Sequence, residues 1–344
     1  MIVLPIALLL FQGATALPRT AGGEPDLSGV YDIATLTPLT RPGNVKDRLS
    51  LTDDEAKALA KATADQMAQK SLASDPNRKA PPAGGDGSEG AAGNVGGYNA
   101  VWVDKGTGAF KLDGKWRTSI LIDPPNGQMP AMTQEARARA MARGRMSRPN
   151  RGDAFWITEN MPVGPYDDPE LRPVAERCLM GFGSSSGPPA LPVLYNNLKQ
   201  IVQTKDTVMI LNEMVHDVRV IRINGKHEPE DIRRWLGDSI GHWEGDTLVV
   251  DTTNFRDQPG MSGASRNMRV IERFSRIDAK TLRYHFTVKD PTIWTKPFSG
   301  EMAWPATDAR IYEYACHEGN YSFGNILRGA RLLEAETLAK KNAK

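Results

Sequence analysis

From residue 199 onward, apolar and polar residues alternate in short runs separated by tight turns. In the clearest run, from Thr281 to Lys289, Leu, Tyr, Phe and Val alternate with Arg, His and Thr. A period of two is typical of a β-strand with one buried face. Turn dipeptides lie between the runs at Lys205-Asp206, Asn224-Gly225, Gly245-Asp246 and Asp278-Ala279. The pattern predicts a mainly β fold, with an antiparallel, barrel-like (lipocalin-like) sheet in the C-terminal half.

The first half of the chain is less regular. Thr52 and Glu55 have the spacing of a capping box, which predicts the start of a helix that ends near Ser74. Residues 75–98 are rich in Gly, Pro, Ser and Asp, a composition that predicts a flexible loop. Residues 99–124 alternate again and predict two or three further strands.

The domain organisation follows from these changes in character. We expect a signal peptide at 1–16, and an extended arm, a helix and a flexible Gly-rich loop at 17–98. A single mainly β domain at 99–335 would then contain an irregular Pro/Gly-rich insertion at about 125–198. A basic helix is expected within that insertion near 133–146.

The N-terminus predicts the compartment. Residues 2–11 are almost wholly apolar, and Ala14-Thr15-Ala16 provides an A-x-A-like cleavage site. That run is too short for a stable membrane span, and no later stretch is long enough. We therefore expect a periplasmic or secreted protein without a stable membrane span. In an oxidising compartment Cys178 and Cys316 are expected to form a disulfide, the alternative being two buried free thiols.

Net charge argues against one class of partner. Lys and Arg number 43 against 41 Asp and Glu, a formal charge of +2, and the basic residues are spread along the chain. Nucleic-acid binding is therefore not expected. The predicted partner is a small-molecule ligand or substrate, and the sequence leaves the oligomeric state open.

Several phrases occur together in the second part of the chain: Glu176-Arg177-Cys178, residues 212–219 (NEMVHDVR), residues 235–250 (WLGDSIGHWEGDTLVV) and residues 312–321 (YEYACHEGNY). Their combination resembles a large family of secreted bacterial proteins over roughly residues 117–331. The resemblance implies an exported bacterial protein. It brings no settled reaction, so no catalytic residue is carried over from it.

The run from 312 to 321 has the densest chemistry in the chain. His317 suits acid–base work near neutral pH, and Glu313 and Glu318 are close enough in sequence to orient it. The run also supplies three predicted ligand-binding tyrosines, Tyr312, Tyr314 and Tyr321. The alternative is that His317 only braces a disulfide at Cys316.

A second predicted catalytic pair lies at the end of a strand. His216 would act as a base and Arg219 would stabilise developing negative charge, unless His216 is structural. Aromatic residues crowd the second half, and apolar pockets with a few polar groups are the usual small-ligand sites. The remaining predicted ligand-binding residues are Asn196, Asn197, Trp243 and Trp294.

Spacing gives no metal or cofactor motif. The sequence contains no HExxH, paired CxxC, EF-hand loop, dinucleotide fingerprint or P-loop, so no metal and no cofactor is predicted. A zinc site from histidines that converge in the fold is the alternative. The run from Gly181 to Gly187 is rich in Gly and Ser and is expected to be a flexible connection, with an anion-holding loop as the other interpretation.

These observations predict an exported, cofactor-independent enzyme with histidine acid–base chemistry. Lyase, isomerase or hydrolase activity on a small aromatic or phenolic compound would suit the residues. The alternative is a non-catalytic periplasmic protein that binds a small ligand in a lipocalin-like pocket. A structural or surface-interaction protein without a sizeable pocket is the third class.

Overall fold

The fold is given by a computed structural model that describes residues 17–45, 48–72, 77, 79, 103–148 and 152–343. The predicted signal peptide at 1–16 lies outside the described residues, as do the first predicted strand around residues 100–102 and nearly all of the predicted loop at 75–98. Numbered in chain order, the described strands are β1 (Gly29–Asp32), β2 (Ser50–Leu51), β3 (Lys111–Leu112), β4 (Lys115–Arg117), β5 (Leu121–Asp123), β6 (Leu198–Gln203), β7 (Thr207–Asn212), β8 (Val218–Ile223), β9 (Asp238–Glu244), β10 (Thr247–Thr253), β11 (Arg269–Arg276), β12 (Thr281–Lys289) and β13 (Phe298–Pro305).

Ten of these strands form one curled sheet with the shape of a half-barrel, in the order β1-β6-β7-β8-β9-β10-β11-β12-β13-β5. The mainly β, barrel-like prediction for the C-terminal half is confirmed at this level. The prediction of an antiparallel sheet holds for most neighbours, but β8 and β9 are parallel and the sheet is therefore mixed. The reason is that the chain runs through a long connection after Asn224-Gly225 instead of turning back directly into β9.

Register places the apolar residues of successive strands on the concave face. Tyr284 on β12 lies opposite Met302 on β13 and opposite Phe274 on β11, and all three side chains are buried. Trp304 packs against Tyr284 with ring centroids 4.7 Å apart. The alternation seen in the sequence therefore corresponds to a concave face that holds the main core.

Both edges of the sheet are formed by strands from the first half of the chain. β1 pairs with β6, and β5 pairs with β13. An isolated bridge joins Tyr31 to Ala306, and the Thr307 amide donates to the Val30 carbonyl at 2.9 Å. These contacts bring β1 back towards the far end of β13, which increases the curl of the sheet.

A second sheet of three short strands, in the order β2-β4-β3, lies beside β13. Arg117 from β4 forms an ion pair with Glu301 on the outer face of β13 at 2.5 Å. Helix α1 (Asp53–Lys70) follows β2 and begins at the predicted capping box: the Glu55 amide donates to Thr52 Oγ1, and the Thr52 amide donates to the Glu55 carboxylate. The capping-box prediction is confirmed.

In the described part of the chain, three further α-helices lie outside the sheets. They are α2 (Gln134–Met146), at the position predicted for the basic helix, α3 (Phe155–Thr158) and α4 (Tyr321–Asn342). The helix α4 was not among the sequence-based predictions, and it extends beyond the predicted domain end at residue 335. It packs on α3 through a small cluster that is separate from the main core and includes Trp156 and Ala330.

Residues 181–191, called here the inner segment, lie on the concave side of the half-barrel. Every residue from Ser184 to Leu191 is buried. The backbone of the inner segment is bonded to inward-pointing side chains of three strands: Lys199 on β6, Asn212 on β7 and Tyr284 on β12. The expected flexible connection is therefore a buried part of the core, because those side chains satisfy its backbone polar groups.

Candidate functional site

An apolar cavity of about 630 Å³ lies beside the inner segment and is the best-defined candidate site. One wall is formed by residues 35–39 of the N-terminal arm, and the opposite wall by residues 182–184 and 191–195. Ile120, Met214 and Met261 contribute further apolar surface. The volume falls within the range of sites that hold small organic molecules.

Backbone hydrogen bonds fix the arm that forms the first wall. The Leu36 amide donates to the Gly108 carbonyl at 2.9 Å, and the Ile120 amide donates to the Pro38 carbonyl at 2.8 Å. Thr37 is buried, and its hydroxyl donates to the Arg117 carbonyl and accepts from the Phe110 amide. Because its polar groups are satisfied from behind, the arm presents mostly apolar side chains such as Leu36 and Leu39 to the cavity.

Most polar side chains that line the cavity are used inside the fold. The Thr35 hydroxyl donates to the Gly108 carbonyl and accepts from the Thr37 amide. The Ser184 hydroxyl lies 3.4 Å from the sulfur of Met261. Lys105 is the one residue with a formal charge among those that line the cavity in the described part of the chain.

A polar cluster lies behind the wall formed by Ser184 and Met214. Lys199 is wholly buried, and its ammonium donates to the Ser185 carbonyl. The side-chain amide of Asn212 donates to the Ser186 carbonyl at 3.2 Å, and the Ser186 hydroxyl donates to Asp217 at 2.5 Å. These contacts attach the inner segment to β6 and β7, so the cluster supports the wall of the cavity without facing into it.

Burial changes the protonation of this cluster. It lowers the pKa of Lys199 to about 7, an effect that Glu213 and Asp217 oppose and Arg219 reinforces. Burial also raises the pKa of the Asp217 carboxyl, against the hydrogen bond from Ser186. Both shifts favour the neutral forms, since the protein interior solvates charge poorly.

A buried ion pair crosses the concave side from β8 to β11. Arg219 donates two hydrogen bonds to Glu272, one of them at 3.0 Å, and both side chains are buried. Burial alone would lower the pKa of Arg219, but Glu272 outweighs it and the pKa is raised. The Tyr284 hydroxyl donates to Glu272 at 2.8 Å and accepts from the Ala190 amide at 2.9 Å. The network therefore fixes the far end of the inner segment.

The predicted catalytic residues lie in separate places. His317, Glu313 and Glu318 are exposed, and His317 borders a shallow depression beside Arg177 and Asn320. His216 is also exposed, in a single 3₁₀ turn between β7 and β8. Arg219 is buried in its ion pair with Glu272, and none of these five predicted catalytic residues lines the apolar cavity.

The predicted ligand-binding tyrosines do not line the apolar cavity either. Tyr312 is 71% exposed and Tyr321 is 80% exposed, whereas Tyr314 is half-buried. The segment from 312 to 321, which carries these tyrosines and His317, contributes no residue to the cavity lining. It is held elsewhere by the disulfide between Cys178 and Cys316, a predicted bond that the structure confirms. The side-chain amide of Asn320 donates to the Glu176 carbonyl at 2.8 Å and keeps this segment close to the insertion.

Of the other four predicted ligand-binding residues, three have contacts that stabilise the fold: Asn197, Trp294 and Trp243. Asn197 is buried, and its side chain donates to the Asp104 and Val193 carbonyls, which supports the wall at 193–195 from behind. Asn196 follows Tyr195 of the wall and has a φ of 55°. Trp294 packs edge-on against Phe298 in the main core, and the half-buried Trp243 packs against the same core.

Sequence reasoning missed Lys105, Lys199 and the two walls of the cavity. For Lys199 a signal existed, because the alternation along β6 places it on the same face as the buried Ile201. The walls have no such signal, since residues 35–39 and 191–195 are irregular and far apart in the chain.

Among the described residues, no group of three or more His, Cys, Asp or Glu side chains is placed to hold a metal ion. Within the same part of the chain, no helix combines the length and the apolar character that crossing a membrane requires. Comparison of the chain with protein-family models, curated proteins and solved structures finds no match. The geometry of the cavity is therefore the feature that indicates a function.

Proposed function

We propose that this protein binds a small, mainly apolar organic molecule in the apolar cavity, without converting it. The observation that supports this function best is the cavity itself: about 630 Å³, two walls of mostly apolar side chains, and few polar groups. Small-ligand sites have this composition, and curved β-sheets often hold such ligands at their open side. On this proposal the half-barrel acts in the manner of a lipocalin-like carrier.

Binding is favoured over the acid–base enzyme because of what lines the cavity. Among the described lining residues there is no histidine and no carboxylate, the side chains on which the enzymatic version depends for acid–base catalysis. His317 and His216, which would carry the enzymatic version, are exposed to solvent and away from the cavity.

We further propose that the carrier acts outside the cytoplasm, in the periplasm or after secretion. The disulfide between Cys178 and Cys316 supports this location, since such bonds persist mainly in oxidising compartments. The leader-like sequence at 1–16 and the resemblance to secreted bacterial proteins agree with it.

A titration with the neutral apolar dye N-phenyl-1-naphthylamine tests the binding function. We expect saturable fluorescence enhancement with the wild-type protein. Ser262 is exposed at the cavity rim, so Ser262→Trp should fill the cavity and weaken binding at least tenfold without changing stability. Ser322→Trp, an equal change on exposed α4, is the matched control and should bind like wild type.

Two results would contradict the proposal. One is no saturable binding by the wild-type protein to this dye or to a panel of aromatic and aliphatic molecules. The other is equal weakening by Ser262→Trp and Ser322→Trp, which would place the dye somewhere other than the cavity.

A further inference from the structure

We infer that the ligand is a singly charged anion, an apolar body that ends in a carboxylate, and that Lys105 binds the carboxylate. This inference rests on the proposed binding function and names the chemical class of its ligand. The ammonium of Lys105 has no counter-charge among the described residues of the cavity lining. Lys105 lines the apolar cavity and is half-buried, and no ion pair or hydrogen bond of its ammonium is found within the described residues.

The backbone around Lys105 is fixed on both sides. The Asp104 amide donates to the Leu194 carbonyl at 2.7 Å, and the Asp104 carbonyl accepts from the Asn197 side chain at 2.9 Å. On the other side, Gly106 has a φ of 79° and lies against the arm, where a Cβ atom would come within 2.7 Å of Ala34. Lys105 is therefore held between the two walls of the cavity by specific contacts.

The nearest carboxylate in sequence is already engaged. The Asp104 side chain accepts a hydrogen bond from the Gly106 amide at 3.0 Å, which turns it towards its own backbone. None of the described residues that line the cavity is acidic. An apolar surface beside an ammonium that has no partner among the described residues favours a ligand that supplies the missing negative charge.

The single cation also limits the charge of the ligand. A dianion such as a phosphate monoester would leave one negative charge without a partner beside apolar side chains, which is costly. The hydroxyls of Thr35 and Thr37 are occupied by backbone groups and offer no further compensation. A monocarboxylate with an aromatic or aliphatic body fits both the charge and the lining.

Matched pairs of ligands test this inference. We expect 2-naphthoate to bind the wild-type protein about tenfold to a hundredfold more tightly than 2-naphthalenemethanol, and decanoate more tightly than decanol, by calorimetry at pH 8. The two pairs distinguish an aromatic from an aliphatic body. Added salt should weaken the two acids and leave the two alcohols unchanged.

Variants at Lys105 locate the effect. Lys105→Met should abolish the preference for the acids while it keeps the affinity for the alcohols, which also shows that the cavity remains folded. Lys105→Arg should retain the preference. Lys115→Met, at an exposed position on β4 outside the cavity, is the control and should behave like wild type.

Equal binding of acids and alcohols by the wild-type protein would overturn the inference and leave the binding function intact. A preference for the acids that survives in Lys105→Met would overturn it as well. If none of the four ligands nor the neutral dye binds, the proposed function and this inference fail together.

Discussion

Replacement of Lys199 by methionine would separate the cost of a buried amine from the other forces that hold the inner segment. Lys199 is 0% exposed, and burial lowers its pKa in the folded protein to about 7 from the 10.5 of a free lysine. Between these two values the unfolded chain binds a proton that the folded protein does not. The free energy of unfolding therefore rises with pH across this window. Below the window the cost of the buried charge is at its maximum, above it the cost is gone, and in neither range does this lysine add a pH dependence.

The magnitude follows from the size of the shift. The two pKa values differ by about 3.5 units, and at 1.36 kcal/mol per unit the full effect is about 5 kcal/mol. Integration from pH 7 to pH 9 gives about 2 kcal/mol of that stabilisation. The methionine side chain in Lys199→Met is similar in length to that of lysine, but it cannot donate a hydrogen bond to the Ser185 carbonyl. This lost hydrogen bond should lower the free energy of unfolding by about 1–3 kcal/mol. The pH slope is therefore the diagnostic quantity, rather than stability at one pH.

Urea unfolding followed by tryptophan fluorescence at pH 7, 8 and 9 measures this slope. Between pH 7 and 9 the wild-type protein should gain about 2 kcal/mol more than Lys199→Met, since nearly all other titrating groups are common to both. Lys205→Met, in the exposed turn between β6 and β7, should keep the wild-type slope. An unchanged slope in Lys199→Met would refute the reasoning, because the buried amine would then not be the titrating group.

Three further predictions concern stability and are measured by urea unfolding. Arg219→Met should cost about 3–5 kcal/mol because Glu272 is left buried and unpaired. The double variant Arg219→Met with Glu272→Met should recover part of that loss, and a double variant no more stable than Arg219→Met would contradict this. The double variant Cys178→Ser with Cys316→Ser should lose about 4–5 kcal/mol, since the disulfide closes a long loop in the unfolded chain, and an unchanged midpoint would show that the loop is not the source of stability. Asp238 tests acid stability: burial alone would raise its pKa, but hydrogen bonds from Arg222, His227 and the Glu228 amide lower it to about 2. Its stabilising contribution is therefore complete above pH 4 and is lost as the pH falls towards 2, so Asp238→Asn should flatten the stability curve in that interval by about 2 kcal/mol.

The sheet could be predicted from the sequence because each strand carries its own signal. The alternation along β12 and the turn at Asp278-Ala279 are local features, and a local pattern is enough to specify one buried face. The parallel pairing of β8 and β9 has no local signal. Asn224-Gly225 predicted a tight reversal, but the Asn224 amide instead donates to the Gly241 carbonyl, and the chain continues to the far end of β9.

The candidate site was harder to predict because its groups come from distant parts of the chain. His317 and the tyrosines around it drew attention as a dense polar run, yet such a run can remain exposed on a surface without forming a pocket. Lys105 is one of many lysines in the sequence. Its distinction lies in its neighbours, the arm at 35–39 and the wall at 193–195, which only the folded chain brings together.

The pairing of β1 has a consequence for the order of folding. Strands β6 to β13 follow one another in the chain in the same order as in the sheet, so each can associate with the strand synthesised just before it. By contrast, β1 pairs with residues 198–201 and Tyr31 bridges to Ala306, both of which are synthesised long after it. The arm at 35–39 continues directly from β1, so this wall of the apolar cavity should dock last. We expect the cavity to be absent from any early folding intermediate and to appear only in the final, slow step.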